Sequence, residues 1–253
     1  MKILVSNDDG YLAEGINALA KRLSKKHQVI IFAPSENKSA SSSSLTIDKP
    51  LKPIKISKSV YTIDGTPSDS AHFALCGYFA EEFDLVIAGI NFGPNLGDDV
   101  IYSGTVAAAI EGRFVGFPSI AISLASWNGK NLDTAAIVAE IIVDNVEFSE
   151  LSTDTVLNIN VPDIPFNKIK GFRTTKLGKR HKSENIIQDK EDISLYWIGE
   201  NGKEADNGPG TDFYAVKNNY VSITPLQVDL TSKDEMEKVD KWRKKLSSHS
   251  MYL

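Results

Sequence analysis

Residues 1–10 read MKILVSNDDG, a short apolar run that stops abruptly at Asn7, Asp8, Asp9 and Gly10. Ile3, Leu4 and Val5 are bulky and show no polar alternation, the pattern of a central strand in a parallel sheet that is buried on both faces. The acidic pair then falls at the strand's carboxyl end, the edge of an open α/β sheet where ligands bind. Two adjacent carboxylates in a crevice repel each other and raise each other's pKa unless a cation lies between them, which points to a hard divalent metal. The competing reading is a turn in which Asp and Gly supply only loop geometry.

Working outward, Ile16, Leu19, Ala20 and Leu23 follow helical spacing, and Gln28 to Ala33 is a second strand ending at Pro34. Strand signals recur at Leu85 to Ala88, Ser119 to Ser123 and Thr155 to Ile159, with helical stretches at Ser68 to Ala80, Thr105 to Arg113 and Asp133 to Val143. This alternation predicts an α/β fold, a Rossmann-like doubly wound and mostly parallel sheet with helices on both faces. From Gly171 onward the pattern changes to isolated β-like pieces, Phe172 to Thr175, Leu195 to Ile198 and Tyr220 to Thr224. We therefore divide the chain into a catalytic core over 1–170 and a β-rich extension with a terminal helix over 171–253, read as a protruding hairpin on the same domain. Ser232 and Glu235 have the spacing of a capping box opening a charged helix over Ser232 to Leu246.

The net charge of −5 speaks against a surface for duplex nucleic acid, and no apolar run is long enough to span a membrane; Ala135 to Val143 is short and contains Glu140. The single cysteine, Cys76, excludes an internal disulfide and is expected to be a buried, inert thiol in a reducing, cytoplasmic setting.

Three loops carry candidate chemistry. SASSSS, residues 39–44, follows the second strand and reads either as flexible linker or as a source of hydroxyls for the same crevice. The third loop, GINFGPNLGDDVIYSGT, places Asn91 at a strand end, then Asn95, and closes on Ser103, Gly104 and Thr105 at the start of an alanine-rich helix. Amides at a helix start with two hydroxyls beside them suit phosphate, although Ser103 serves equally well as a plain N-cap. Lys179, Arg180 and His181 form a basic cluster, read as a solvated group or a substrate-phosphate clamp. His27, His72, His181 and His249 show no metal-ligand spacing, with His72 expected in helix packing. Phosphate loops of the G-x-x-x-x-G-K-[ST] type, G-x-G-x-x-G, H-E-x-x-H and G-x-S-x-G are absent from the sequence.

NDDGYLAEGI, APSENKSASSSSLT, GTPSD (65–69), GINFGPNLGDDVIYSGTVAAAIEG and GPGTDFYAVKNNYVSITPL (208–226) resemble, in order and spacing, the SurE survival-protein family. The resemblance implies a metal-dependent 5′-nucleotidase acting on nucleoside monophosphates, with 3′-nucleotides and polyphosphate as further substrates. It implies Asp8, Asp9, Ser39 and Asn91 as ligands of one Mg²⁺ or Mn²⁺, Asp8 and Asp9 also being catalytic, and a homodimer or homotetramer with exchanged C-terminal elements. Asn95, Ser103, Gly104 and Thr105 are the expected phosphate contacts. Ala40 replaces the family's usual glycine, Ser43 a frequent asparagine and Glu14 a common proline; Ala40 matters most, because glycine there permits backbone angles that a Cβ hinders. A phospho-receiver domain also opens with an acidic pair, yet needs an Asp where this chain has Asn91. A haloacid-dehalogenase-like phosphatase needs Asp-x-Asp rather than adjacent acids.

Overall fold

The computed structural model describes residues 1–79, 82–152, 154–199 and 201–247. Ile3, Leu4 and Val5 lie in β1 (Lys2–Ser6) with no exposed surface, as a central parallel strand requires. β1 pairs in parallel with β2 (Gln28–Pro34) on one side and with β5 (Leu85–Phe92) on the other. Beyond β2 lie β4 (Val60–Ile63) and the short antiparallel edge β3 (Ile54–Lys55). Beyond β5 come β6 (Ser119–Leu124) and β7 (Thr155–Val161), both parallel. The chain thus reverses its direction of travel across the sheet between β1 and β5, the topological switch point at which doubly wound sheets bind ligands.

Side chains alternate between the two covering layers. Ile3 and Val5 pack with α1 (Glu14–Leu23) and α4 (Leu132–Asn145), whereas Leu4 joins Phe32, Ile63 and Val86 on the opposite face. That second face is covered by α2 (Pro67–Phe73) and α3 (Gly104–Phe114). Ala108 and Ala109 let α3 lie close against Ala88 and Ala121. Gly15 is required at the start of α1, because a Cβ there would collide with the Ile90 carbonyl oxygen of β5.

The extension joins the core more closely than a separate unit would. β13 (Val221–Gln227) adds to the main sheet antiparallel to β7, and β8 (Phe172–Thr174) pairs outside it. Between them, β9 (Lys179–Arg180) pairs with β12 (Glu204–Asp206), and β10 (Ile187–Gln188) with β11 (Tyr196–Trp197), nested antiparallel pairs that make one long arm. Phe213, on α5 (Asp212–Lys217), folds back into the protein, while Tyr196, Trp197 and Ile198 on the arm stay exposed.

Four expectations are corrected. Cys76 is exposed: α2 ends at Phe73, and Cys76 and Gly77 leave helical angles in the wide turn that follows. The helix foreseen as far as Ala80 is thus cut short, and Ala80 itself, like His249, lies outside the described residues. His72 is exposed and pairs with Glu111 at 2.7 Å instead of packing in a core. The Ser232 side chain makes no capping bond; α6 (Met236–Ser247) begins four residues later, after a tight turn at Lys233–Glu235. Met236, Val239, Trp242 and Leu246 fall on one side of that helix, yet all four stay exposed, so no packing anchors its start.

Candidate active site

At the end of β1, Asn7 is fully buried and braces the acidic turn, its amide donating to the Gly10 carbonyl at 2.9 Å and accepting the Gly10 N–H at 3.2 Å. Gly10 takes φ +96°, an angle that only glycine adopts without strain. The turn therefore holds Asp8 and Asp9 side by side at the switch point. Asp8 is 4% exposed, and its carboxylate accepts both the hydroxyl and the backbone N–H of Thr105. Burial nevertheless raises its pKa. Asp9 accepts the Phe92 N–H of β5, yet burial and the neighbouring Asp8 charge push it up to about 6. Asp9 Oδ2 is buried without a hydrogen-bond partner.

The serine-rich segment is no free linker. The Lys38 N–H donates to the Asp8 carbonyl at 2.7 Å, the Ser39 N–H to Asn37 Oδ1 at 2.8 Å, and the Ser42 hydroxyl to the Ile101 carbonyl at 3.1 Å. Asn37 also reaches Asp9 Oδ1 at 3.4 Å, so one side chain relates Ser39 to the acidic pair. Farther along, the Asp69 carboxylate accepts the Thr46 hydroxyl at 2.6 Å and the Thr46 N–H at 2.8 Å, closing the loop onto α2. Ala40 sits at φ +58°, the left-handed region favoured by glycine. Its departure from the usual glycine is thus accommodated in the backbone shape that a glycine would take.

Asp8, Ser39, Ala40, Asn91, Asn95 and Ser103 line one cleft of about 170 Å³, with Phe92, Asp99, Tyr102, Trp127 and Asn201 around them. Asn91 donates its amide to the Gly93 carbonyl at 2.9 Å, which aims the side-chain oxygen elsewhere. Asn95 is fixed from behind: its carbonyl accepts from Asn158 and Asn160, both at 2.9 Å, and its side-chain amide donates to Ser123 Oγ at 2.8 Å. Ser103 caps α3 by accepting the Val106 N–H at 3.0 Å, leaving its own O–H to donate into the cleft. A Cβ on Gly104 would stand 2.7 Å from Asp8 Cβ, so the glycine is what lets α3 approach the acidic pair.

All eight sequence-predicted residues gather at this one edge of the sheet, with one change of part. Thr105 is fully buried and gives hydroxyl and amide to Asp8, so it positions a carboxylate where a phosphate contact was expected. The basic cluster divides: Lys179 and His181 are exposed, as a solvated group would be, whereas Arg180 pairs with an acid. Arg180 grips Asp99 through Nε at 2.9 Å and its terminal nitrogen at 2.6 Å, and lies 5.0 Å over the Phe213 ring, fastening the arm to the cleft wall. Sequence reasoning missed Asn37, Asp69, the Asn158–Asn160 pair and Trp127. Only Asp69 carried a local signal, the capping box Thr66 to Asp69, which α2 forms.

The donor set available to a metal is all oxygen: two carboxylates, a hydroxyl and an amide carbonyl. Among the described residues no cluster of three or more His, Cys, Asp or Glu is spaced to hold a metal. The unpartnered Asp9 oxygen and the raised pKa of both acids are compatible with a hard cation, which two carboxylates and neutral oxygens suit better than they suit zinc.

Residues 3–184 match the family model of the survival protein SurE. The chain belongs to the SurE family. It is 65% identical over 242 residues to a 5′-nucleotidase SurE of Ruthia magnifica subsp. Calyptogena magnifica, covering 96% of this chain and 98% of that protein. A 5′-nucleotidase SurE of Alkalilimnicola ehrlichii is 51% identical across 96% of this chain and 95% of its own length. The crystal structure of the SurE protein from Aquifex aeolicus superposes with a TM-score of 0.85 at 40% identity, over 96% of this chain and 100% of that one. The doubly wound fold is thus shared along nearly the whole SurE chain. Among the described residues, no helix is long and apolar enough to cross a membrane.

Proposed function

We propose that this chain is a metal-dependent 5′-nucleotidase that hydrolyses nucleoside monophosphates to nucleoside and phosphate. The observation that carries the reading is the pair Asp8 and Asp9, side by side at the switch point, Asp8 buried and Asp9 half-buried with one carboxylate oxygen unpartnered. The names of the SurE relatives support the same activity. Asp8, Asp9, Ser39 Oγ and Asn91 Oδ1 would hold one Mg²⁺ or Mn²⁺. The chemistry supplied by such an ion is neutralisation of charge on the phosphoryl oxygens. Ser103 O–H, the Gly104 amide and the Asn95 side chain bind the remaining phosphate oxygens, assisted by the positive end of α3.

Asp8 is held fixed by Thr105, whereas Asp9 keeps an open oxygen. Asp9 is therefore the carboxylate assigned to take a proton from the attacking water as the new P–O bond forms and the bond to the nucleoside oxygen breaks. The proton then passes to that leaving oxygen. The assembly proposed is a homodimer or homotetramer, supported by the exposed apolar arm and by Trp242 and Leu246 exposed on α6.

A phosphate-release screen over nucleoside mono-, di- and triphosphates, 3′-nucleotides and polyphosphate, with each divalent cation in turn, tests the reading. Nucleoside 5′-monophosphates with Mg²⁺ or Mn²⁺ are expected to be cleaved, with 3′-nucleotides and polyphosphate as secondary substrates. Absence of monophosphate hydrolysis with every cation would overturn it.

A further inference from the structure

Trp127 is 75% exposed although it lines the same cleft as Asp8 and Asn91. Its six-membered ring lies directly on Gly93, where a Cβ would collide with three of the ring carbons. Gly93 in turn holds the Asn91 side chain through its carbonyl at 2.9 Å. The indole therefore sits one residue away from a proposed metal ligand, on a glycine that opens the space for it.

The loop that carries the ring is pinned at both ends. The Ala125 N–H donates to the Val161 carbonyl at 2.8 Å, and the Asp163 carboxylate accepts the backbone N–H groups of Lys130 at 3.0 Å and Asn131 at 2.8 Å. A fixed indole with most of its surface in water is a preorganised platform, because its ordering cost is already met before any ligand arrives. The flat apolar group that a nucleotide would bring to this cleft is its base, and bases stack on aromatic rings.

We propose that Trp127 is the nucleobase platform of the cleft and the residue that makes the protein prefer nucleotides over simpler phosphate monoesters. The proposal rests on the nucleotidase reading above and names a substrate-recognising residue within it. Stacking depends on π-area, so purine monophosphates are favoured over pyrimidine ones.

The test compares 5′-AMP with ribose 5-phosphate, which carries the same phosphate and sugar but no base, in the presence of Mg²⁺ or Mn²⁺. Trp127→Ala is expected to lower kcat/KM for 5′-AMP about five- to 100-fold more than for ribose 5-phosphate, chiefly through KM. Trp127→Phe is expected to restore most of the difference. Ribose 5-phosphate turnover also reports that the variant is folded. Equal losses on both substrates, or no change on either, would overturn the role of Trp127 while leaving the nucleotidase reading intact. Failure of the unaltered protein to hydrolyse 5′-AMP would overturn that reading and the platform with it.

Discussion

Replacing Asp9 with asparagine removes a negative charge from beside the buried Asp8 while keeping an oxygen that can accept the Phe92 N–H. In the metal-free protein that charge is unfavourable: Asp9 is pushed from the ordinary 3.8 up to about 6 by burial and by Asp8. Because the folded-state pKa is raised, the native protein holds this proton more tightly than the unfolded chain does. The penalty is absent below pH 3.8, grows as pH rises through the window from 3.8 to 6, and is complete above it. At about 1.4 kcal/mol per tenfold, the undiscounted penalty at pH 7 is about 3 kcal/mol. Partial solvent access at Asp9 reduces this to about 1–2 kcal/mol. In excess chelator at pH 7, Asp9→Asn is therefore expected to unfold about 2–8 °C above the unaltered protein. At pH 3, below both values, the difference should largely vanish, since Asp9 is then mostly protonated in both states. Adding Mg²⁺ or Mn²⁺ at pH 7 should reverse the order, because the ion stabilises only the protein that binds it. A metal-free Asp9→Asn protein that melts at or below the unaltered one at pH 7 would refute the claim that two uncompensated carboxylates share this site.

Thr105→Val keeps the buried shape but strips the hydroxyl from Asp8; divalent-metal affinity and kcat should fall together, and a titration showing unchanged metal affinity would contradict the positioning role. Ser103→Ala removes a donor to a charged phosphate, so KM is expected to rise about tenfold to hundredfold by steady-state kinetics, while metal affinity changes little. Ala40→Gly should leave stability unchanged or raise it by up to about 1 kcal/mol, whereas the same substitution at Ala108 inside α3 costs about 1 kcal/mol; denaturant midpoints compare the two. Light scattering across micromolar concentrations is expected to give a mass of at least two chains, and a constant 27.7 kDa with activity intact would show a working monomer.

The parts of the molecule that follow from local pattern were legible beforehand. β1, the acidic turn and the loops after β2 and β5 announce themselves through apolar runs that end in polar clusters. A doubly wound order then brings those loops together whatever lies between them. What escaped was decided by tertiary contact. A threonine hydroxyl at a helix start serves phosphate or carboxylate equally well, and only the approach of Asp8, permitted by Gly104, settles its partner. Arg180 looked solvated because Asp99 lies 81 positions earlier in the chain. Cys76 looked buried because its neighbours read as one apolar helix, which Gly77 at φ +108° interrupts. β4 is only four residues long and follows a lysine- and serine-rich stretch, so no periodicity marked it.

The central claim is that Asp8 and Asp9 hold a divalent ion needed to hydrolyse a nucleoside monophosphate. Its most direct measurement is phosphate release from 5′-AMP by chelator-stripped protein, before and after Mg²⁺ or Mn²⁺ is restored, with Asp8→Asn in parallel. The account predicts no release without metal, recovery on its return, and no recovery in Asp8→Asn. Full release in excess chelator, or full recovery in Asp8→Asn, would contradict it.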